Sequence, residues 1–219
     1  MFPRNLIVCR QNDETIRYFD RWMDTISESI NTNFELFVID LCTKDNFSKR
    51  LRKESTLHHW PTPYGKTFQK REAEGYETAR QYAISNGYGT ILYMSGELFP
   101  ERTFLSSLLI PNLSVISALF YNSSGELNIK FIENNDHTYF RNKWRPQPYE
   151  ITQWLNGSIR DVYSAGMDCL LVRRKVFSKI SFKYDLKEKK TTEEIFYEDL
   201  WENQTTVFVD TSIIQNLKS

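Results

Sequence analysis

NLIVCRQNDETIRYFDRWMDTISESINTNFELFVID, residues 5–40, sets the architecture of the chain. Asn5 to Cys9 is a short apolar run of strand length. Asn12-Asp13 then offers a helix cap, and Ile16, Phe19, Met23, Ile26 and Ile30 recur three and four residues apart, the spacing of one buried helix face. Phe34 to Ile39 is a second apolar run, closed by Asp40. Strand, helix and strand within forty residues make a βαβ unit, which requires a parallel pair and a right-handed crossover.

The same alternation continues downstream. Ser48 to Lys66 reads as a short strand within an irregular loop. Lys66 to Asn86 is helical, with Tyr76, Ala79 and Ala83 inward and Gly87 as a C-cap. Thr90 to Met94 is a third clear strand that runs straight into Ser95-Gly96-Glu97, and Pro100 suits the first turn of a further helix. Beyond it, Ser114–Phe120, Leu127–Ile132, Asp168–Val172 and Val207–Val209 read as strands. Glu193 to Asn203 reads as a helix, and Asn134 to Pro148 as a polar, aromatic-rich loop.

With 219 residues, 40% of them hydrophobic, one core suffices and a single domain is expected. Lysine and arginine together number 28, as do aspartate and glutamate, so no basic surplus exists to coat a nucleic acid. Cys9, Cys42 and Cys169 lack metal or redox spacing, and two of them sit inside apolar strand runs, where cysteine behaves as a small hydrophobe. No run approaches the ~18 apolar residues of a membrane helix, so a cytoplasmic protein without a transmembrane segment is expected, peripheral membrane contact remaining open.

Ligands of open α/β sheets gather at the carboxyl ends of the parallel strands. That rule singles out Arg10 to Asn12, Asp40 and Ser95 to Glu97. No glycine-rich loop follows the first strand, as a nucleotidyltransferase or a dinucleotide-dependent dehydrogenase would need.

Four blocks, in this order, resemble the GT-A glycosyltransferases, especially family 2-like members. FELFVIDLCTKDN (34–46) looks like their second strand and its aspartate-rich turn. ETARQYAISNGYGTILYMSGE (77–97) resembles the helix and strand leading into Asp-x-Asp. VYSAGMDCLLVRRKVF (162–177) resembles the acceptor-side glycine loop and the strand after it. Glu198-Asp199 and VFVDTSIIQN (207–216) look like the catalytic pair and the closing strand.

The resemblance implies a GT-A, Rossmann-like fold: one α/β domain with a mixed, mostly parallel sheet flanked by helices. Residues 1–100 would bind the nucleotide and residues 101–219 the acceptor. The donor would be a nucleotide-diphospho-sugar, UDP-linked or carrying another pyrimidine, and the acceptor a hydroxyl on a glycan, protein or lipid. Cys9, Arg10, Gln11, Asp40, Arg80, Ser95 and Gly96 would meet the nucleotide, and Glu97 a metal ion. Asp199, or Glu198 beside it, would take the acceptor proton, and direct displacement would invert the anomeric configuration.

Two departures bear on the metal. Ser95 replaces the first aspartate of Asp-x-Asp, and Asn216 stands where many relatives carry a metal-binding histidine. One glutamate with one hydroxyl makes a poor cage for Mn2+ or Mg2+, so weak or absent metal dependence is expected. Lys66, Lys70, Arg71, Arg80 or Arg173 are then the cations available to a leaving diphosphate. A catalytically silent nucleotide-sugar or partner-binding module is the alternative.

Structural roles stand beside these functional ones. Asp40 suits a loop cap, Glu97 a first-turn helix acid, and Glu198-Asp199 a solvated acidic face with Glu193, Glu194 and Glu202. The Trp144 to Trp154 region reads as a sugar-stacking wall or as packing under a loop.

Overall fold

The computed structural model describes residues 4–29, 34–43, 49, 57–61, 66–101, 103–121, 129–130, 157–185 and 190–216. Ile30, the Trp144 to Trp154 region and most of the Lys187 to Lys190 cluster lie outside them.

Strand β1 (Asn5–Gln11) is the central element. Leu6 and Val8 enter one core and Ile7 and Cys9 the other, all of them 0% exposed, because successive residues of a strand point to opposite faces. On one side β1 pairs in parallel with β2 (Phe34–Asp40), which pairs with β3 (Leu57–Pro61). On the other it pairs in parallel with β4 (Thr90–Ser95). Between β1 and β2 the chain forms a 3-10 turn at Thr15–Tyr18 and helix α1 (Phe19–Ser29). The buried stripe is Phe19, Trp22 and Ile26, with Ile16 and Met23 at its margin.

Helix α2 (Phe68–Ser85) returns from β3 to β4. Thr67 caps it by accepting from the Lys70 amide, and Gly87 closes it at φ +75°, a conformation that suits glycine. Its inward residues are Tyr76, Ala79 and Ala83, as the spacing predicts. Gly75 lets the helix lie directly on Ile39, since a methyl group there would overlap that side chain.

The second half adds α3 (Phe104–Leu109), β5 (Val115–Tyr121), β6 (Ile129–Lys130), β7 (Ile159–Val162), β8 (Ser164–Ala165), β9 (Cys169–Arg173), α4 (Arg174–Phe177), α5 (Thr192–Glu202) and β10 (Val207–Asn216). The main sheet has eight strands in the order β3-β2-β1-β4-β9-β5-β10-β7. Strand β9 is antiparallel to both neighbours and β7 is antiparallel to β10; the other pairings are parallel. Strands β6 and β8 form a separate antiparallel pair. Helices α1 and α3 cover one face, and α2, α4 and α5 the other. This is the expected mixed, mostly parallel α/β domain.

Three local expectations are corrected. Pro100 is not in a first helical turn: Phe104 N–H bonds the Glu101 carbonyl, and α3 begins only after Thr103, whose φ is +74°. The last strand does not stop at Val209. It passes through a register shift, where Asp210 accepts from Ser212 N–H at 2.9 Å, and continues to Asn216. Strand β7 was unmarked in the sequence because its alternation, IRDV, exposes Ile159 and Asp161 and buries only Val162 fully.

Candidate active site

The ends of β1 and β4, the N-terminal half of α2 and the start of β9 meet at one edge of the sheet. There Arg10 donates to Asp168 at 2.8 Å and to Glu72 on the other side, so one guanidinium joins three elements. Burial alone would lower the Arg10 pKa, but Tyr76, Asp168 and Glu72 together raise it well above its usual value. Arg10 is a fixed cation. Tyr76 packs beside this group, and burial, reinforced by Glu72, Asp168 and Glu193, holds its hydroxyl well above the usual tyrosine range despite Arg10.

Next to Arg10, the Gln11 side chain is fully buried. Its Oε1 accepts from Thr15 Oγ1 at 2.6 Å, and its Nε2 donates to Cys9 Sγ at 3.0 Å. Gly96 lies directly against this amide, leaving no space for a Cβ. Ser95 is 5% exposed; its amide bonds the Asp168 carbonyl at 2.9 Å, and its hydroxyl accepts from Glu97 N–H at 3.2 Å. Burial pushes the Cys9 thiol far up, and the Cys169 thiol up to about 12, so both remain protonated packing groups.

Asp40 sits at the predicted strand end but turns inward. Its side chain is 1% exposed, accepting from Cys42 N–H at 3.0 Å and pairing with His59 Nε2 at 3.0 Å. Arg71 donates to the Cys42 carbonyl at 3.2 Å and Asp13 accepts from Thr43, which together hold the turn after β2.

The structure does not bring Arg80 to this edge. Its guanidinium pairs with Glu77 and donates to the Phe177 carbonyl at 2.8 Å, beyond the far end of β9. Arg173 is likewise at the opposite edge, donating to the Leu109 and Leu113 carbonyls. Because β9 runs antiparallel, its first residues, not its last, face the ligand edge. Sequence reasoning does not find Asp168 for that reason, nor Glu72, which is one of several charged residues near the start of α2 with no spacing that marks it.

On α5, the Thr191–Glu194 capping box fixes the first turn. Glu198 pairs with Lys190 at 2.9 Å and borders a cavity of about 150 Å³ with Tyr163, Ser164, Glu193 and Tyr197. Asp199 pairs with Lys183 at 3.0 Å and does not line it. Glu193 is the α5 carboxylate felt by Tyr76, and burial followed by Glu193 raises Tyr197.

Ser95 and Glu97 do not make a divalent-cation cage. A hard cation takes about six oxygen ligands, whereas here one hydroxyl is already an acceptor for Glu97 N–H, and the carboxylates of Glu72 and Asp168 are paired with Arg10. Among the described residues no group of three His, Cys, Asp or Glu side chains is suited to a metal. Asn216 ends β10, its side chain lying outside the described residues.

No protein-family profile matches the sequence, and no curated protein matches it by sequence. In structure, 98% of the chain superposes on GalNAc-T7, crystallised with UDP, GalNAc and Mn2+, at TM-score 0.66 and 9% identity, covering 44% of that chain. S. aureus TarS 1–349 superposes on 98% of the chain at TM-score 0.56 and 14% identity, with 58% of that protein covered. A197 from STIV matches 96% at TM-score 0.50 and 11% identity, with 83% of it covered. The chain thus spans about half the length of the first two. An eight-stranded mixed sheet with a polar cluster at the carboxyl ends of its parallel strands defines an open α/β fold. More particularly, the chain has the fold of the GT-A glycosyltransferases.

Proposed function

We propose that the chain transfers a glycosyl unit from a nucleotide-diphospho-sugar to an acceptor hydroxyl on a glycan, protein or lipid, with inversion. The observation that carries this reading is the Arg10 guanidinium, fixed by Glu72 and Asp168 beside Ser95-Gly96 at the carboxyl edge of a GT-A sheet. The two carboxylates offset its charge, so it would serve a leaving diphosphate through the N–H donors that Glu72 and Asp168 leave unused. Residues 1–100 bind a donor that is UDP-linked or carries another pyrimidine, as the GalNAc-T7 neighbour crystallised with UDP supports. Residues 101–219 take the acceptor. Cys9, Gln11 and Gly96 supply a tight backbone floor, while Asp40 acts by holding the β2–β3 end in shape through His59. Dependence on Mn2+ or Mg2+ is weak or absent, which the Ser95 and Glu97 donor set supports.

The base is an α5 carboxylate of the Glu198-Asp199 pair, and Glu198, which borders the cavity, has the better access. Among the described residues no helix is long and apolar enough to cross a membrane. A second reading, a catalytically silent nucleotide-sugar-binding module, is favoured by the lysines seated on both carboxylates of that pair. Incubation with a panel of nucleotide sugars, with and without Mn2+, separates the two. Transfer or donor hydrolysis that changes less than about tenfold with the metal supports the enzyme; nucleotide binding with no turnover under any condition leaves the binding module.

A further inference from the structure

Glu72 and Asp168 come from different parts of the chain and converge on one small space at the ligand edge, which the Arg10 guanidinium fills. Each carboxylate is directed by its own scaffold. Glu72 lies one helical turn before Tyr76, which is buried in the core, so the α2 backbone sets its direction. Asp168 precedes the fully buried Cys169 of β9, and its carbonyl accepts from the Ser95 amide at 2.9 Å. Both directions are therefore set without the Arg10 side chain. The three side chains are 13% to 27% exposed, so an ion from solvent can reach them.

Among the described residues, Arg10 is the only cation paired with either carboxylate. One positive charge against two negative leaves the group net negative. Two carboxylates, with waters or phosphate oxygens completing the shell, are a usual donor set for Mg2+, and oxygen donors of this kind suit Mn2+ as well. The guanidinium keeps such an ion out in two ways. It engages an oxygen of each carboxylate in a charge-assisted hydrogen bond, and it repels a second cation at contact range.

We infer that Glu72 and Asp168 form a latent divalent-cation site that Arg10 occupies, so that a tethered side chain stands where a metal ion would bind. The inference deepens the transfer reading above, because it names what a diphosphate meets in place of a metal at that site. Its own test needs no nucleotide.

The experiment measures Mn2+ binding to the full chain, by loss of the free-ion electron paramagnetic resonance signal and by calorimetry. Arg10→Ala should bind Mn2+ at least about tenfold tighter than wild type. Arg10→Met, which keeps the apolar stem, should do the same and serves if the alanine variant fails to fold. Adding Glu72→Gln or Asp168→Asn to either variant should abolish the gain. Mn2+ should also raise the melting temperature of the Arg10 variants and leave that of wild type unmoved, since an ion stabilises only the folded state it binds. No gain of Mn2+ binding in either variant, a gain that survives both carboxylate substitutions, or equally tight binding by wild type overturns the inference. UDP binding is measured separately. A Mn2+ gain with no UDP bound by any form leaves the latent site and removes the transfer reading; UDP binding by wild type without the Mn2+ gain does the reverse.

Discussion

Arg10 and Asp168 stand 158 residues apart in sequence and 2.8 Å apart in space, joined where β1 ends and β9 begins. With Glu72 on its other side, the Arg10 guanidinium is aimed before any ligand arrives. Preorganised charge of this kind is effective because nothing need reorient at the moment of reaction. Arg10→Ala should therefore weaken UDP binding by about 10- to 100-fold, the loss of a charge-assisted hydrogen bond worth roughly 1.5–3 kcal/mol. Arg10→Lys should fall between, since an ammonium keeps the charge but cannot fork to two carboxylates. Calorimetric dissociation constants decide it, and an unaltered constant for Arg10→Ala removes Arg10 from the site.

Gly96 tests the floor. Its α-carbon lies against the Gln11 amide, which is buried and tied to Thr15 and Cys9. A methyl group at 96 must push that amide off its partners. Gly96→Ala should cost about 1–3 kcal/mol, the range for overpacking or for orphaning a buried polar group. Gln11→Ala should absorb most of this cost, so the double mutant should be less destabilised than the sum of the singles. Strict additivity in denaturant melts would show that the two residues do not meet.

What could be read in advance was what short-range periodicity encodes. The βαβ unit, the inward Tyr76, Ala79 and Ala83, and the Gly87 cap depend on residues three or four apart or on one backbone angle. Strand direction is not encoded locally, so Arg173 reads as a cation available to a diphosphate, whereas antiparallel β9 puts Arg173 at the far edge and brings Asp168 to the site. Arg80 shows the converse. Glu77 sits three residues before it, a spacing that makes a helical ion pair, and that local partner holds it away from the site. Asp210 ended the last strand prematurely because its bond to the Ser212 amide imitates a turn, while the ladder with β5 resumes at Ile214.

The two acids of α5 are distinguished by surroundings. Glu198 borders the cavity, whereas Asp199 is turned to Lys183. A positioned base contributes typically 10²–10⁴-fold. Glu198→Gln should lower kcat by about that factor while leaving the UDP dissociation constant within about twofold, and Asp199→Asn should have the smaller effect. Steady-state kinetics on both variants provide the check; full turnover in each would exclude the pair as the source of the base.

Glu77 carries the acid sensitivity of the far edge. Burial pushes its carboxyl upward, but hydrogen bonds from Arg80, Gln81 and the Phe182 amide outweigh this, and its pKa falls below the usual 4.5. A carboxylate with a lowered folded value adds stability that is fully present above its unfolded value and is lost as pH falls through the folded one. Stability should therefore drop as the pH goes below about 4.5. Glu77→Gln should flatten that slope. It should also cost about 1–3 kcal/mol at neutral pH, because the buried Arg80 keeps its bond to the Phe177 carbonyl but loses its charge partner. Urea melts of both proteins across pH 3–7 measure this, and parallel stability curves would mean that Glu77 is not the group that titrates.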